Sequence, residues 1–149
     1  RTFKEDVADD GTALEIGRCF ILREGDDLTF VTWGAMTAET LAAADHLAGD
    51  GIQAEVIDVA TLKPLDADTI LSSLEKTGRL VVVHEAPLTG GFGAEIAARV
   101  AEGALSSLLA PVRRVAGYDT VMPLPKMEHH YMPTKKRILK AARETMEYA

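Results

Sequence analysis

The strongest structural signal in this chain is an apolar run that leads into a glycine-rich turn, Leu80-Val81-Val82-Val83-His84-Glu85-Ala86-Pro87-Leu88-Thr89-Gly90-Gly91-Phe92-Gly93. A continuous run rich in β-branched residues is typical of a strand that is buried on both faces, as in parallel sheets. The glycines permit a tight turn, and the helical spacing of Ile96 and Val100 predicts a helix over about 92–104. The stretch therefore predicts one strand–turn–helix unit of an α/β fold.

The same unit recurs on the amino-terminal side of this stretch. Residues 28–33 predict a strand, and a helix over about 38–48 follows it, with Thr37 as its N-cap. Residues 54–59 predict the next strand, and Asp66 is placed to cap the helix behind it. Repeated strand–helix alternation predicts a parallel sheet with helices on both faces.

The two ends of the chain complete this pattern. Residues 19–22 predict a short strand that is joined to the strand at 28–33 by a turn at 24–27, and so short a connection predicts an antiparallel pair. Residues 111–116 predict a last strand, and a closing helix runs from Pro133 or Thr134 to Tyr148. The opening hairpin makes the predicted sheet mixed rather than wholly parallel.

Length and composition predict one globular domain. The chain has 149 residues, and 16 Lys and Arg against 23 Asp and Glu give a formal charge of −7. We expect no nucleic-acid partner, because no large basic stripe offsets this charge. We expect no membrane partner, because no apolar run approaches the roughly 20 residues of a span. The single Cys19 excludes an intrachain disulfide and indicates a reducing compartment.

The first residues predict that the chain is cut from a longer protein. The sequence opens on Arg1 rather than on Met, and it lacks the apolar core of a signal peptide. Residues 1–16 are polar and show no sustained period, so we expect them to be an interdomain linker. Residues 17–149 are then expected to form the domain.

The glycine-rich turn has two interpretations. In the first it is a phosphate or carboxylate cradle at the start of a helix, with His84 or Glu85 as acid or base. In the second the glycines let loop and helix pack closely, and His84 and Glu85 supply polar contacts at a subunit boundary. A Walker lysine is absent and the spacing is not G-x-G-x-x-G, so the residues alone leave both interpretations open.

The usual metal and nucleophile motifs are missing from the sequence. His129 and His130 are adjacent and therefore point in different directions, so they chelate one ion poorly. Cys19 is far from them, and no CxxC or HxxxH spacing occurs. No G-x-S-x-G elbow surrounds a serine. We expect no metal site and no serine nucleophile.

Three surface features have both a structural and an associative interpretation. The basic run at 135–137 lies in the first turn of the last helix, where it is either a solvated face or a contact for an acidic partner. Arg113 and Arg114 alternate across a strand, so one can face a partner or ligand while the other packs along a helix. The proline-restricted stretch 117–125 either covers the sheet edge or forms an association surface.

Four segments carry a family resemblance. They are Val31-Thr32-Trp33-Gly34, Asp58-Val59 with Leu62-Lys63-Pro64-Leu65-Asp66, Thr77 to Ile96, and Ala110 to Thr120. In this order they resemble the C-terminal transketolase-type domain of the beta subunit of a thiamine-diphosphate-dependent 2-oxo acid dehydrogenase. The resemblance covers nearly everything from about residue 17. Its H-E-A-P-x-T-G-G-F-G turn looks closer to branched-chain and acetoin-type subunits than to the pyruvate-specific form.

This resemblance implies a three-layer α/β/α fold with a five-stranded, mostly parallel mixed sheet. It also implies a heterotetramer of two alpha and two beta subunits that uses thiamine diphosphate and magnesium. Such an enzyme decarboxylates a 2-oxo acid and passes the acyl group to a lipoyl arm on a dihydrolipoyl acyltransferase core. The family's cofactor contacts and catalytic histidine belong to another domain of the beta subunit. The resemblance therefore implies no catalytic role for His84 and no cofactor bound by this chain.

The resemblance further implies contacts with the alpha subunit, a second beta subunit and the acyltransferase core. The interface candidates are His84, Glu85, Thr89, Gly90, Gly91, Phe92, Tyr118, Asp119, Tyr148 and Ala149. An acidic residue that some relatives use for docking is replaced by Leu109. The location implied is the bacterial cytoplasm or, in a eukaryote, the mitochondrial matrix.

The leading hypothesis is therefore an assembly domain of a branched-chain 2-oxo acid dehydrogenase beta subunit. One alternative is the same domain of an acetoin or pyruvate dehydrogenase. A second is a stand-alone anion- or nucleotide-binding module that uses Gly90–Gly93. A third is the C-terminal domain of another thiamine-diphosphate enzyme, such as transketolase or deoxyxylulose-phosphate synthase.

Overall fold

A computed structural model describes residues 10, 11, 13–123 and 126–148. Within these residues, five strands form one sheet and five helices pack around it. The strands are β1 (Phe20–Arg23), β2 (Leu28–Thr32), β3 (Ala54–Asp58), β4 (Leu80–Pro87) and β5 (Arg113–Gly117). The helices are α1 (Met36–Gly49), α2 (Ala67–Thr77), α3 (Gly93–Gly103), the single turn α4 (Glu128–Tyr131) and α5 (Lys135–Met146).

The sheet has the order β1-β3-β2-β4-β5. Strands β3, β2, β4 and β5 are parallel, and β1 runs antiparallel beside β3. Because side chains alternate along a strand, β4 directs Val81 and Val83 into the core under α1 and α5. It directs Leu80 and Val82 into a second core under α2 and α3. The fold is a three-layer α/β/α domain with a mixed sheet, as predicted.

The predicted opening hairpin is wrong. Strands β1 and β2 lie on opposite sides of β3 and do not pair with each other. The chain crosses beneath the amino end of β3 at Gly25, where any side chain would collide with the backbone of Ala54 and Glu55. Asp27 holds the crossing, because its carboxylate accepts the Gln53 N–H at 2.7 Å and its own N–H donates to the Gln53 carbonyl at 3.0 Å. The glycine that suggested a turn permits this close approach.

The helix starts agree with the sequence in two cases and differ in one. The Asp66 carboxylate caps α2 by accepting the Thr69 N–H at 3.2 Å, and the Thr134 hydroxyl caps α5. Thr37 does not cap α1, which starts at Met36 without a side-chain cap. Gly34 has a φ of +61° and accepts the Thr37 N–H at 3.2 Å, so the chain turns earlier than the threonine predicts.

A buried carboxylate lies on β3. The Glu55 side chain is 1% exposed and forms an ion pair with Lys76 of α2. Burial tends to raise the pKa of Glu55, but hydrogen bonds from Lys76 and Ser73 bring it below its ordinary value. Beside this pair, the Thr29 hydroxyl is hydrogen-bonded to Ser73 at 2.7 Å and to Thr77 at 2.8 Å. These contacts fasten α2 to the sheet by polar groups.

No helix among the described residues has the length and apolar character that crossing a membrane requires.

Candidate functional site

The carboxyl ends of β2 and β4 lie at a point where the winding of the sheet changes direction. After β2 the chain proceeds to β3 on one side, and after β3 it crosses to β4 on the other side of β2. Open α/β sheets bind ligands in the crevice at such a point. Here the residues at the crevice are Trp33, which follows β2, and His84, which lies in β4.

Aromatic side chains fill this crevice. The Trp33 indole stacks on the His84 imidazole, with ring centroids 5.2 Å apart and planes 7° from parallel. The edge of Phe92 meets the indole, with centroids 6.1 Å apart at 86°. His84 is completely buried. The position at which related architectures hold a ligand is therefore a packing contact in this domain.

The glycine-rich turn lies directly against His84. A Cβ atom at Gly91 would be 2.7 Å from His84 Cε1, and a Cβ atom at Gly93 would be 2.7 Å from His84 Cδ2. Gly90 adopts a φ of +73°, a conformation that favours glycine. The glycines thus let the loop and the start of α3 contact the imidazole. This packing supports close contact of loop and helix, one part of the structural interpretation, whereas the completely buried His84 faces its own domain rather than a subunit boundary.

The environment of His84 keeps its imidazole neutral. Burial lowers the pKa of His84, the charge of Arg114 lowers it further, and the Ala86 backbone offsets part of the shift. Neither ring nitrogen has a hydrogen-bond partner of good geometry among the described residues. The neighbouring Glu85 is exposed. A buried imidazole without a proton-relay partner is poorly placed for acid or base chemistry.

A pair of hydrogen bonds joins the turn to the segment after β5. The Asp119 carboxylate accepts the Thr89 N–H at 2.9 Å and the Thr89 hydroxyl at 2.6 Å, which lowers the pKa of Asp119. Arg114 also donates to the Leu88 carbonyl at 3.0 Å. The structure therefore brings together Thr89 and Asp119, and it places the neighbouring Tyr118 at the same edge.

The other predicted contact residues lie apart from the turn. Arg143 of α5 pairs with Asp50, which follows α1 at the amino edge of the sheet, at 2.7 Å. Tyr148 follows α5 at that edge, so it lies at the opposite end of the domain from His84. Ala149 lies outside the described residues, as do positions 124 and 125 of the predicted wrapping stretch.

The segment after β5 exposes several large apolar side chains. Val121 is 87% exposed, and Tyr118, Met122 and Met127 are each about half exposed. Contiguous apolar exposure of this kind marks association surfaces in many proteins. We call Tyr118 to Pro123 the apolar strip.

A cleft of about 620 Å³ lies between the loop after β3 and the start of α3. Lys63 and Arg99 line it, and Arg99 is paired there with Glu95 at 2.8 Å. This cleft is where the anion-binding alternative would place its ligand, and that alternative stays a prediction. Sequence reasoning missed the cleft because Lys63 comes from a separate loop and no spacing connects it to the glycines.

The described residues offer little for metal binding. They contain no group of three His, Cys, Asp or Glu side chains that could hold an ion. Cys19 is half-buried, and burial together with the charges of Asp66 and Asp58 raises the pKa of its thiol to about 12. A thiol with this pKa stays protonated at neutral pH and is a weak ligand.

The mixed sheet between two helical layers, with Trp33 and His84 stacked at its crevice, defines the class of three-layer α/β/α domains. The family described as transketolase, C-terminal domain, matches residues 17–138. This chain belongs to that family.

The most similar relatives include subunits of one enzyme. The chain is 45% identical over 148 residues to the pyruvate dehydrogenase E1 component subunit beta of Staphylococcus epidermidis, and equally so to that of Bacillus subtilis. Each alignment covers 99% of this chain and 46% of the relative, so the chain spans about half the length of the curated relatives that it matches. They confirm the resemblance to the C-terminal part of 2-oxo acid dehydrogenase beta subunits. They agree better with the pyruvate alternative than with the branched-chain hypothesis.

Solved structures agree with the family assignment. A protein described as a split gene transketolase, inactive beta4 tetramer, superposes with a TM-score of 0.81 at 32% identity and covers 97% of this chain and 46% of its own. A 2-oxoglutarate:ferredoxin oxidoreductase from Magnetococcus marinus gives a TM-score of 0.58 at 12% identity, covering 87% of this chain and 19% of its own. The second likeness shows the fold alone.

Proposed function

We propose that this chain is the C-terminal assembly domain of the beta subunit of a thiamine-diphosphate-dependent 2-oxo acid dehydrogenase whose substrate is pyruvate. The observation that carries the proposal is the 45% identity to pyruvate dehydrogenase beta subunits over 99% of the chain. The intact enzyme would decarboxylate pyruvate oxidatively and transfer the acetyl group to the lipoyl arm of an acyltransferase core. Pyruvate replaces the branched-chain substrate that the glycine-rich turn suggested.

In this proposal the domain contributes subunit contacts rather than chemistry. Residues 17–149 form the domain, and residues 1–16 connect it to the rest of the beta subunit. The turn that Asp119 fastens to Thr89 and the adjacent apolar strip face the alpha subunit or the second beta subunit. Tyr148 lies at the other edge and is the candidate contact for the acyltransferase core.

The described residues do not fit a thiamine diphosphate–magnesium site. They lack a group of three metal-ligating side chains, and aromatic rings fill the crevice at the carboxyl edge. The proposal therefore derives no catalytic step from this chain. In the intact enzyme, residues outside the described part would hold the cofactor, and the cofactor would supply the carbanion chemistry of decarboxylation.

A substrate comparison tests the enzymatic part of the proposal. The intact beta subunit that contains this chain is combined with its alpha subunit, thiamine diphosphate and magnesium. Decarboxylation of pyruvate is then compared with decarboxylation of 3-methyl-2-oxobutanoate and with cleavage of acetoin. We expect the highest kcat/KM with pyruvate. A preference for either rival substrate would overturn pyruvate while keeping the enzyme class, and inactivity with all three would remove the class.

A matched pair of variants tests the assembly role. Val121→Asp places a charge on the apolar strip, where the side chain is 87% exposed and the substitution should change folding stability by less than about 0.5 kcal/mol. Leu105→Asp places the same charge at 65% exposure beyond the carboxyl end of α3. We expect sedimentation to show weakened subunit association for Val121→Asp and unchanged association for Leu105→Asp. Equal association in both variants would contradict the role of the strip.

A further inference from the structure

A small cleft lies at the carboxyl edge of β4 and β5, away from the crevice that Trp33 fills. Its volume is about 250 Å³, and its lining includes Arg114 and Arg137 together with Tyr118 and Asp119. Arg114 comes from β5 and Arg137 from the first turn of α5. Two arginine side chains from different elements therefore line one concave site.

Neither arginine forms a close ion pair in the part of the chain that the structure describes, although the charge of Arg114 helps to lower the pKa of the nearby Asp119. Among the described residues, no Asp or Glu oxygen lies within 4.0 Å of the Arg114 or Arg137 side-chain nitrogens. In contrast, Arg99 pairs with Glu95 on the surface of α3. Within these residues, Arg114 and Arg137 therefore lack the direct carboxylate partner that Arg99 has.

Both guanidinium groups are nevertheless held in place. Arg114 donates to the Leu88 carbonyl at 3.0 Å. Arg137 donates to the Ala116 carbonyl at 2.7 Å, and its guanidinium carbon lies 4.5 Å from the centre of the Tyr118 ring. A guanidinium carries five N–H donors, so these bonds leave several donors for a ligand. Fixing the side chains in advance reduces the entropy lost on binding.

The acidic residue in the cleft is already engaged. Both oxygens of the Asp119 carboxylate accept hydrogen bonds from Thr89, one from the N–H and one from the hydroxyl. The cleft therefore contains two cations and one anion whose oxygens point to another residue. This balance favours a ligand with one negative charge over a dianion.

We propose that this cleft binds a carboxylate group, held between the Arg114 and Arg137 guanidinium groups. The planar fork of arginine matches the two oxygens of a carboxylate. The volume is below the roughly 300–1,000 Å³ of sites for larger ligands, which restricts the occupant to a small acid or one acidic side chain. The inference does not depend on the substrate proposed above.

Direct titration tests the site. The ¹⁵N-labelled 149-residue chain is titrated with propionate, with N-acetyl-glutamate amide and with inorganic phosphate, at a constant ionic strength set with sodium chloride. We expect saturable shifts of the Gly117, Tyr118 and Asp119 amide signals with a carboxylate. Tighter binding of propionate identifies a free small acid as the occupant, and tighter binding of the glutamate derivative identifies an acidic side chain of a partner.

Charge-removing variants give the control. Arg114→Gln and Arg137→Gln should each weaken carboxylate binding at least about tenfold, whereas Arg99→Gln removes an equal charge and should bind as the wild type does. Arg137→Gln removes the hydrogen bond to the Ala116 carbonyl, whereas Arg114→Gln keeps it. If Arg137→Gln unfolds, Arg114→Gln still tests the site. Absence of saturable shifts, preference for phosphate, or equal weakening by Arg99→Gln would each overturn the inference.

Discussion

The Trp33 indole lies flat on the His84 imidazole, with ring centroids 5.2 Å apart, at the point where the sheet changes its winding direction. This stack joins the residue that follows β2 to a residue in β4. Gly91 and Gly93 then close over the same imidazole. One histidine therefore organises the loop, the helix start and the neighbouring strand end.

Titration of His84 should weaken the fold in mild acid. Burial and Arg114 lower the folded pKa of His84 below its ordinary value of 6.5, so the unfolded chain takes up this proton first as the pH falls. The contribution of neutral His84 to the free energy of unfolding is complete above about pH 6.5. It is lost below that pH, by at most about 1.4 kcal/mol per pH unit. His84→Phe keeps a ring without the titration. Urea unfolding between pH 7.5 and 5 should therefore show a shallower fall for this variant.

The exposed His46 provides the control for that experiment. His46→Gln removes a histidine from the surface of α1 and should follow the wild type at every pH. If His84→Phe and the wild type lose stability in parallel, His84 is not the source of the acid sensitivity.

Gly93→Ala should destabilise the domain by about 1–3 kcal/mol, because the added methyl group meets the buried His84 ring. Gly49→Ala is the matched substitution, since a Cβ atom at this helical glycine has no neighbour within 4 Å. We expect Gly49→Ala to be neutral or to stabilise by up to about 1 kcal/mol. Denaturant unfolding measures both values.

The His84→Ala background separates a steric effect from a backbone effect. With the ring removed, Gly93→Ala should cost much less than in the wild type. An unchanged cost in that background would show that the methyl group clashes elsewhere.

Asp119→Asn should release the turn without unfolding the domain. The carboxylate that accepts both the N–H and the hydroxyl of Thr89 becomes a neutral amide, which is a weaker acceptor. The Thr89 amide should exchange with solvent several-fold faster, as NMR detects residue by residue. Asp68→Asn, in the first turn of α2, is the control and should leave Thr89 unchanged. Equal exchange in wild type and Asp119→Asn would contradict the fastening role.

Lys76→Met should destabilise the domain by about 2 kcal/mol at pH 7, because it leaves the buried Glu55 carboxylate without its cation. With Lys76, the pKa of Glu55 is low, so the pair stabilises above the ordinary value of 4.5 and loses this contribution as the pH falls. Without Lys76, burial raises this pKa, and protonation in acid relieves the cost. The difference in free energy of unfolding should therefore shrink toward pH 4.

Lys140→Met is the surface counterpart, because Lys140 lies 3.7 Å from Glu144 and is 77% exposed. It should change stability by less than about 0.5 kcal/mol at either pH. A loss for Lys76→Met that is as small, or that grows in acid, would contradict a buried ion pair.

Patterns within one element predicted most of the fold. The apolar run at 80–83 and the cap at Asp66 depend on neighbours in sequence, so their structures follow from local physics. The pairing of β1 with β3 could not be predicted in this way. The short connection between β1 and β2 favours a hairpin, and no local pattern shows that β3 lies between these two strands. The single turn α4 also carries too few residues for a periodic signal.

The candidate site was only partly predictable for the same reason. Thr89, Tyr118 and Asp119 were singled out from their segments, but the bond between Thr89 and Asp119 joins loops of different strands. The alternation of Arg113 and Arg114 predicted that they would face different surroundings, and Arg113 does approach Glu144 of α5 at 3.7 Å. Arg137 as the second cation of the small cleft depends on the packing of α5, which sequence spacing does not specify.

The passage of the chain beneath β3 at Gly25 has a consequence for the order of folding. Strand β1 is made before β3, which is its only partner strand in the described sheet and follows a complete strand and helix. Until β3 has formed, β1 has no strand to pair with, and the contact between β1 and β3 forms slowly because the two strands are far apart in sequence. Residues Phe20–Arg23 therefore leave the ribosome well before the strand with which they pair.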